Sequence, residues 1–372
     1  MIPVNEPTLG EAEVKAVAEA VRSGWVSSVG PAIDAFEKGW AAYCGREHGV
    51  AVSSGTTALQ LSIDALDLRP GDEVIMPAFT IISCALAVVR AEAIPVLVDS
   101  DPATWTMDVS DLESRVTERT AAIMPVHIYG HPVDMSAVLT LADSHGLTVI
   151  EDAAEAHGAE YLSGDGWVRC GSMGASSCFS FYANKLITTG EGGMVLTDDA
   201  ALAERLRSSR NLFFGPERRF EHERLGWNAR MTNMQAALGM AQLDRVDQIV
   251  ERKRAIAAAY TERLSAVDGL QLPPAESWAR SVYWMYGVVL DDGLSVDGAA
   301  FAEELALRGV QTRQFFVGMH EQPALQRLGL FEGESYPVAE RLARRGLYLP
   351  SGLALSSTQI DEVCDAVAEV LG

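Results

Sequence analysis

The chain has 372 residues, of which 48% are apolar and 22% are charged. This composition is that of a folded protein of two or three domains and excludes wholesale disorder. Its 29 basic and 51 acidic residues give a formal charge of −22, which argues against a nucleic-acid or anionic-membrane surface. We therefore expect neither nucleic acid nor membrane among its partners, although one local pocket could still bind a small anion.

Cysteine usage and the apolar runs indicate the compartment. The five cysteines are odd in number and form no CxxC pair, which argues against a disulfide framework and a thiolate zinc site. We predict no metal. The start, MIPVNEPTLGEAEV, has neither the basic nor the apolar region of a signal peptide, and the longest uncharged apolar run, 76–89, is too short to span a bilayer. The sequence predicts a soluble, cytoplasmic chain.

The first two thirds of the chain alternate between strand and helix patterns. Residues 11–22 have the apolar spacing of a short amphipathic helix. The predicted strands are 49–53, 73–77, 94–99, 121–128, 147–152, 176–182 and 193–197. The first five are separated by helical stretches near 56–67, 80–91, 109–117 and 134–145. This alternation predicts an α/β fold with a seven-stranded, mostly parallel sheet flanked by helices. The last two strands are joined only by NKLITTGEGG, too short for a crossover helix, so one should be antiparallel.

The last third has a different pattern. Residues 234–264 form one long helix or two joined helices, an element that commonly links domains. A strand at 284–290 and helices at 296–310 and 357–372 follow. We predict a large domain over 1–240 and a smaller C-terminal α+β domain over 241–372.

The segment VSSGTTAL (52–59) follows a strand and opens a helix. Small residues at a helix start expose backbone N–H groups, and hydroxyls add donors, so a phosphate fits there. The segment lacks the Gly-Lys-Ser/Thr ending of a Walker loop. The alternative is that Ser53 and Ser54 merely cap the helix.

The segment VIEDAAEAHG (149–158) places Asp152 at the carboxyl end of an apolar strand, where ligands of open α/β sheets bind. A carboxylate there could hold a ring nitrogen in its protonated form. Glu155 could face the same site. The alternative is a helix cap, with Asp152 as N-cap and Glu155 completing a capping box.

The segment CFSFYANKLITTGEGGM (178–194) places Lys185 just after a strand. A lysine buried there would have a lowered pKa and could form a Schiff base, and Ser180 could reach a phosphate. The alternative is a surface lysine in a turn. A phosphate-type helix start, a strand-end carboxylate and a strand-end lysine, in this order, are the three groups that pyridoxal phosphate requires.

With these segments the sequence resembles the DegT/DnrJ/EryC1/StrS family of sugar aminotransferases, which are fold-type I pyridoxal-phosphate enzymes. The resemblance covers nearly the whole chain, and the block around Lys185 is its most specific part. Within the family, three segments are most similar to GDP-perosamine synthases: GWVSS, VHIYG and TTGEGGMV. The other segments that carry the resemblance are IPVNEPTLGEAEV, VSSGTTAL, GDEVIMPAFT, IEDAAEAHGA, NARMTNMQAALG and LPSGLAL.

The resemblance implies roles for individual residues. Lys185 would bind the cofactor covalently as the catalytic residue, Asp152 would pair with the pyridine nitrogen, and Glu155 would lie near the phenolic oxygen. The phosphate would be held by Gly55, Thr56 and Ser180, with Asn228 reaching it across the interface of a homodimer. Ile81 would contact the cofactor ring where the family often has an aromatic residue. The substrate side would comprise Ser28, Arg230, Arg313 and His320.

The implied reaction moves an amino group from an amino acid, first glutamate, to a keto sugar on a nucleoside diphosphate, with pyridoxamine 5′-phosphate as the alternate cofactor form. The first candidate substrate is GDP-4-keto-6-deoxymannose. Ala229 replaces a tyrosine frequent in the family, and with Ile81 it could make room for a bulkier or longer-chain sugar. A keto sugar linked to dTDP or UDP is a further alternative. Two further alternatives are a pyridoxamine-phosphate sugar dehydratase, against which Lys185 argues, and a non-catalytic cofactor-sensing domain.

Overall fold

A computed structural model gives the fold of the chain and describes residues 1–164, 166–215, 218–222 and 224–372. In chain order the strands are β1 (His48–Val52), β2 (Glu73–Pro77), β3 (Ile94–Val98), β4 (Thr120–Ile123), β5 (Thr148–Asp152), β6 (Glu160–Ser163), β7 (Gly166–Arg169), β8 (Ser176–Ser180), β9 (Gly193–Thr197), β10 (Leu270–Gln271), β11 (Ala279–Arg280), β12 (Tyr286–Leu290), β13 (Arg313–Gln314) and β14 (Gly346–Leu349). The helices are α1 (Glu11–Arg22), α2 (Pro31–Cys44), α3 (Gly55–Asp64), α4 (Ser83–Arg90), α5 (Leu112–Arg115), α6 (Met135–His145), α7 (Ala200–Ser209), α8 (Asn233–Leu243), α9 (Val246–Leu264), α10 (Gly298–Leu307), α11 (Pro323–Gln326), α12 (Pro337–Arg345) and α13 (Ser357–Leu371).

The main sheet contains all seven predicted strands, in the order β1-β9-β8-β5-β4-β2-β3. β9 is antiparallel to both β1 and β8, whereas the other neighbours are parallel. The prediction of a mostly parallel sheet with one antiparallel strand is therefore confirmed. Because β9 returns directly beside β8, the short connection that carries Lys185 stays at the carboxyl edge of β8.

Several predicted boundaries are wrong. β4 ends at Ile123 rather than continuing to 128, because Pro125 lacks the N–H group that would extend the ladder. The helix predicted at 109–117 is a single turn. The pattern missed α2, α7 and the hairpin of β6 and β7, which joins β11 in a separate three-stranded sheet. α2 begins with Pro31 and ends before Gly45 in a left-handed conformation, both ordinary helix boundaries.

The predicted linking element at 234–264 consists of two joined helices, α8 and α9. Val246, Ile249 and Val250 at the start of α9 pack in the core of the main sheet. Ile256, Tyr260 and Leu264, further along α9, pack with the four-stranded antiparallel sheet β10-β12-β14-β13. α9 thus belongs to both cores, and the domain division near residue 240 stays a prediction.

The cysteines are free and buried, at positions Cys44, Cys84, Cys170, Cys178 and Cys364. In the part of the chain that the structure describes, none of the helices is both long and apolar enough to cross a membrane.

Candidate active site

A cavity of about 440 Å³ lies at the carboxyl ends of β5 and β8. Asp152 and Ser180 end these two strands, and Gly55 opens α3 beside them. The opposite wall comes from the C-terminal part of the chain, with Trp284 and Arg313 among its residues. The cavity therefore has the position expected for a ligand site in an open α/β sheet.

The predicted phosphate-binding residues share one wall of this cavity. Ser54 caps α3 by accepting from the backbone N–H of Thr57 at 3.1 Å, and the first N–H groups of the helix have no acceptor within it. A Cβ atom on Gly55 would lie only 2.7 Å from the Cβ of Ser180, so a larger residue would close the approach between α3 and β8. The Thr56 hydroxyl lies 2.8 Å from that of Ser83, the first residue of α4. This wall offers the backbone and hydroxyl donors that a phosphate requires.

Asp152 is a buried carboxylate directed at the cavity and only 2% exposed. Its Oδ1 accepts from the backbone N–H of Ala154 at 3.0 Å, and its Oδ2 accepts from the thiol of Cys84 at 3.1 Å. Burial raises the pKa of Asp152, because the charged form loses its hydration. A cation bound beside this carboxylate would lower its pKa again. The position therefore suits a protonated ring nitrogen.

Lys185 and Glu155 form a buried pair beside Asp152. The Nζ atom of Lys185 lies 3.4 Å from Oε1 of Glu155, whose Oε2 accepts from the backbone N–H of Tyr129 at 2.8 Å. Burial lowers the pKa of Lys185, and the two carboxylates only partly oppose this effect. Burial also raises the pKa of Glu155. The environment favours a neutral amine, the form of lysine that attacks a carbonyl group.

Two more predicted residues line the same cavity. Ile81 is 38% exposed and presents an aliphatic side chain where a cofactor ring would pack. Arg313, in β13 of the four-stranded sheet, is exposed and provides a cation at the mouth of the cavity.

The remaining predicted residues lie elsewhere in the described part of one chain. Asn228 is exposed, and its Oδ1 accepts from Nε of Arg230 at 3.1 Å. Ala229, between these two residues in the sequence, is buried, and its backbone is hydrogen-bonded to Ser53 and Arg210. It does not line the cavity, so its small side chain does not enlarge this cavity within one subunit.

Ser28 and His320 are also separate from the cavity lining. Ser28 is half-buried in the bend before α2. His320 is buried, with Nε2 at 3.3 Å from Oε1 of Glu340 and its ring edge against Tyr336. The structure therefore brings eight of the twelve predicted site residues together at this cavity, and the other four do not line it. The eight are Gly55, Thr56, Ile81, Asp152, Glu155, Ser180, Lys185 and Arg313.

The sequence interpretation missed several residues around the site, three of which contact predicted ones. Trp284 places its ring centroid 3.7 Å from Nζ of Lys185, Cys84 bonds to Asp152, and Ser83 bonds to Thr56. In the sequence, Trp284 begins an apolar strand pattern and Cys84 lies in an apolar run, both typical of core residues. Ser83 gave a weak signal as a small polar residue at a helix start.

The side chains at this cavity fit pyridoxal phosphate. A donor-rich helix start, a buried carboxylate and a buried lysine meet around one cavity. The pyridine ring of this cofactor carries an anionic phosphate on one side and a protonated nitrogen in the ring, which matches this distribution of charge.

Comparisons with known proteins agree with this geometry. Residues 7–368 match the model of the DegT/DnrJ/EryC1/StrS aminotransferase family. The GDP-perosamine synthase of Caulobacter vibrioides is 42% identical over 371 residues, covering 100% of this chain and 98% of that protein. The dTDP-3-amino-3,4,6-trideoxy-alpha-D-glucose transaminase of Streptomyces venezuelae is 40% identical over 358 residues, covering 95% of this chain and 90% of that protein.

Among solved structures, a putative sugar aminotransferase from Streptococcus pneumoniae, in its PLP-form, has a TM-score of 0.91 at 25% identity. The match covers 100% of this chain and 99% of that one. This likeness confirms the predicted α/β aminotransferase fold. The family match and the PLP-form neighbour together imply pyridoxal phosphate as the cofactor.

Proposed function

The chain belongs to the DegT/DnrJ/EryC1/StrS aminotransferase family, and from that premise we propose that it transfers an amino group from an amino acid to a keto sugar carried on a nucleoside diphosphate. The observation that supports this most directly is the buried pair of Lys185 and Glu155 in the same cavity as Asp152. Glutamate is the first candidate donor.

We assign roles to the residues that surround the cavity. Lys185 attaches the cofactor through Nζ, and Asp152 pairs with its ring nitrogen. Gly55, Thr56 and Ser180 hold the phosphate, and Ile81 packs against the ring. When bound, pyridoxal phosphate supplies an electron sink that stabilises negative charge at the carbon losing its proton.

Lys185 also moves the proton in this proposal. Its Nζ atom, once free as a neutral amine, takes the proton from the Cα atom of the donor and returns it within the same cavity. Burial lowers the pKa of this amine, which favours its neutral form. Glu155, at 3.4 Å, then stabilises the ammonium by charge pairing. Asp152 keeps its charge opposite the ring nitrogen throughout.

For the acceptor, we propose GDP-4-keto-6-deoxymannose as the first substrate to test. The support is the resemblance of three segments to GDP-perosamine synthases and the 42% identity to one of them. Arg313 at the cavity mouth suits a diphosphate, since its planar fork pairs with phosphate oxygens. A net charge of −22 repels a dianion at long range, so short-range contacts from arginine must attract it.

Competition between nucleotides tests the acceptor. A relative named for a dTDP-linked product is 40% identical, nearly as similar as the GDP relative, so both nucleotides belong in one assay. With glutamate as donor, the GDP-linked 4-keto-6-deoxy sugar should be aminated faster than the dTDP-linked one. Amination of only a longer-chain or dTDP-linked sugar would contradict the GDP assignment but leave the aminotransferase assignment intact.

Reductive trapping tests the role of Lys185. Borohydride treatment of the purified, cofactor-loaded protein should fix the cofactor to a peptide that contains Lys185. Lys253 is the matched control, since it is also buried but lies outside this cavity. Lys253→Met should still trap the cofactor and Lys185→Arg should not. Cofactor fixed to Lys15, Lys38 or Lys253 would refute the assignment.

We further propose that the active unit is a homodimer in which Asn228 completes the phosphate site of the other subunit. Asn228 lies outside the cavity of its own chain and is exposed. Nearby, Leu225 is 98% exposed and Trp227 is 41% exposed, an apolar surface that a second copy would cover.

A further inference from the structure

Trp284 contacts both the side chain of Lys185 and the backbone of the residue before it. The Nζ atom of Lys185 lies 3.7 Å from the centroid of the Trp284 ring. The indole N–H of Trp284 donates to the carbonyl oxygen of Asn184, the residue before Lys185, at 2.8 Å. Trp284 is 4% exposed, lies two residues before β12 and packs in the core of the main sheet.

The orientation of the Trp284 ring is set by its neighbours. The ring stacks on that of Tyr129, with centroids 6.1 Å apart and planes inclined by 20°. The carbonyl of Asn184 also accepts from Nδ2 of Asn5 at 2.9 Å, so two donors hold this backbone position. The ring therefore presents its face to Nζ without needing to reorganise when the lysine becomes charged.

We propose that Trp284 is a positioning residue for Lys185, whose ring face holds the ammonium form of Nζ while its indole N–H holds the adjoining backbone. This inference rests on the proposed function, in which Nζ of Lys185 takes a proton during turnover. No role for Trp284 follows from the phosphate, ring-nitrogen and substrate assignments made above.

The physical basis is the quadrupole of the indole ring. A cation within about 6 Å of the centroid is attracted to the negative ring face, and the attraction is stronger where water is excluded. Trp284 cannot itself take or give a proton at the ring face. It therefore stabilises the ammonium without competing for the proton, unlike a carboxylate.

Other groups around Nζ act on the same equilibrium. Glu155 at 3.4 Å and the charge of Asp152 favour the ammonium, and burial disfavours it. His157 is fully buried, with its pKa lowered to about 3 by burial, so it is neutral and adds no cation. Lys253 borders a small cavity that Lys185 also borders, on the side of the N-terminal segment. These groups are unchanged by a substitution confined to the electronics of the Trp284 ring.

Site-specific fluorination of Trp284 tests the proposal with little change of shape. Fluorine withdraws electron density from the ring face, so a series from one to several fluorines weakens the attraction in steps. In the full chain after removal of the cofactor, the pH dependence of Lys185 acylation, read by mass spectrometry, reports its pKa. We expect this pKa to fall by about 0.5–1 across the series. An unchanged pKa in folded, fluorinated protein would overturn the proposal.

Two variants separate the ring from its backbone contact. Asn5→Ala removes a donor from the same Asn184 carbonyl without touching the ring, and should leave the pKa of Lys185 unchanged. Trp284→Leu removes the ring and should lower this pKa, and should move the pH profile of kcat in the loaded enzyme in the same direction. A shift with Asn5→Ala as large as that with Trp284→Leu would overturn the assignment to the ring face.

The outcome can be distinguished from a failure of the proposed function. If borohydride does not fix the cofactor to Lys185, the proposed function fails whatever the fluorinated series shows. If the cofactor is fixed there and the acylation pKa is constant across the series, only the role of Trp284 fails.

Discussion

Replacing Asp152 by asparagine separates the charge of this residue from its shape. The amide is nearly isosteric, and its oxygen can still accept from the N–H of Ala154, the bond that Oδ1 makes at 3.0 Å. Its Nδ2 replaces the oxygen that accepts from Cys84, and it presents N–H donors where the carboxylate presents an acceptor. We expect Asp152→Asn to fold and to lose most of its transamination.

The expected magnitudes follow from burial. An amide cannot stabilise a protonated ring nitrogen, and losing one preorganised electrostatic partner typically lowers kcat by about 10²–10³. The free energy of unfolding, unlike kcat, should not decrease. Burial raises the folded-state pKa of Asp152, so the free energy of unfolding of the cofactor-free protein falls as pH rises through the window above the ordinary value of 3.8. The variant lacks this term and should be at least as stable near neutral pH.

The assays are steady-state kcat at saturating cofactor, with glutamate and the GDP-linked keto sugar, and urea unfolding of the cofactor-free chain. Asp291→Asn is the control, because Asp291 is an exposed carboxylate outside the cavity and should leave both quantities unchanged. Near-wild-type kcat in Asp152→Asn would refute the role of the carboxylate. A loss of stability larger than that of the control would refute the burial argument.

Three further results are expected. Glu151→Gln should lower the free energy of unfolding in urea by about 3–5 kcal/mol. The buried carboxylate of Glu151 accepts hydrogen bonds from three backbone N–H groups and a histidine, and an amide cannot accept from all four. The same change at an exposed surface glutamate should have no effect. Burial lowers the pKa of Lys253 from 10.5 to about 7, so the unfolded chain binds the extra proton between these values and wild-type stability should rise across that pH range relative to Lys253→Met; parallel curves in urea would contradict this. Mixing inactive Lys185→Ala and Asn228→Ala chains should restore activity, because a hybrid dimer contains one intact site, whereas either variant alone should stay inactive. An active monomer in sedimentation would exclude shared sites.

The main sheet could be predicted because its strands are buried on both faces and alternate with helices, so composition and periodicity coincide. Three main residues of the site could also be predicted from the sequence, since Asp152 and Lys185 lie at or just after the ends of buried strands and Gly55 opens a helix. Parallel topology then brings those strand ends to one edge. The hairpin of β6 and β7 could not be predicted, because its residues are mostly half-buried and show no clear alternation.

The contacts that tune the site depend on distant parts of the chain. Trp284 meets Lys185 only because the C-terminal part of the chain folds back over the cavity, and no local pattern encodes that approach. Cys84 reaches Asp152 from α4 through the packing of the helix on the sheet. The roles of all the predicted site residues stay predictions. Ser28, Asn228, Arg230 and His320 do not line the cavity in the described part of a single chain.

The burial of every thiol has a practical consequence for spectroscopy. Reaction with a maleimide requires an accessible thiolate, and burial raises the pKa of the thiols of Cys44, Cys84 and Cys178 well above the ordinary value. The native chain should therefore be almost silent to such reagents. A single cysteine introduced at an exposed position such as Val29 would then carry a fluorophore or spin label with little background, without first removing the native thiols, one of which contacts Asp152.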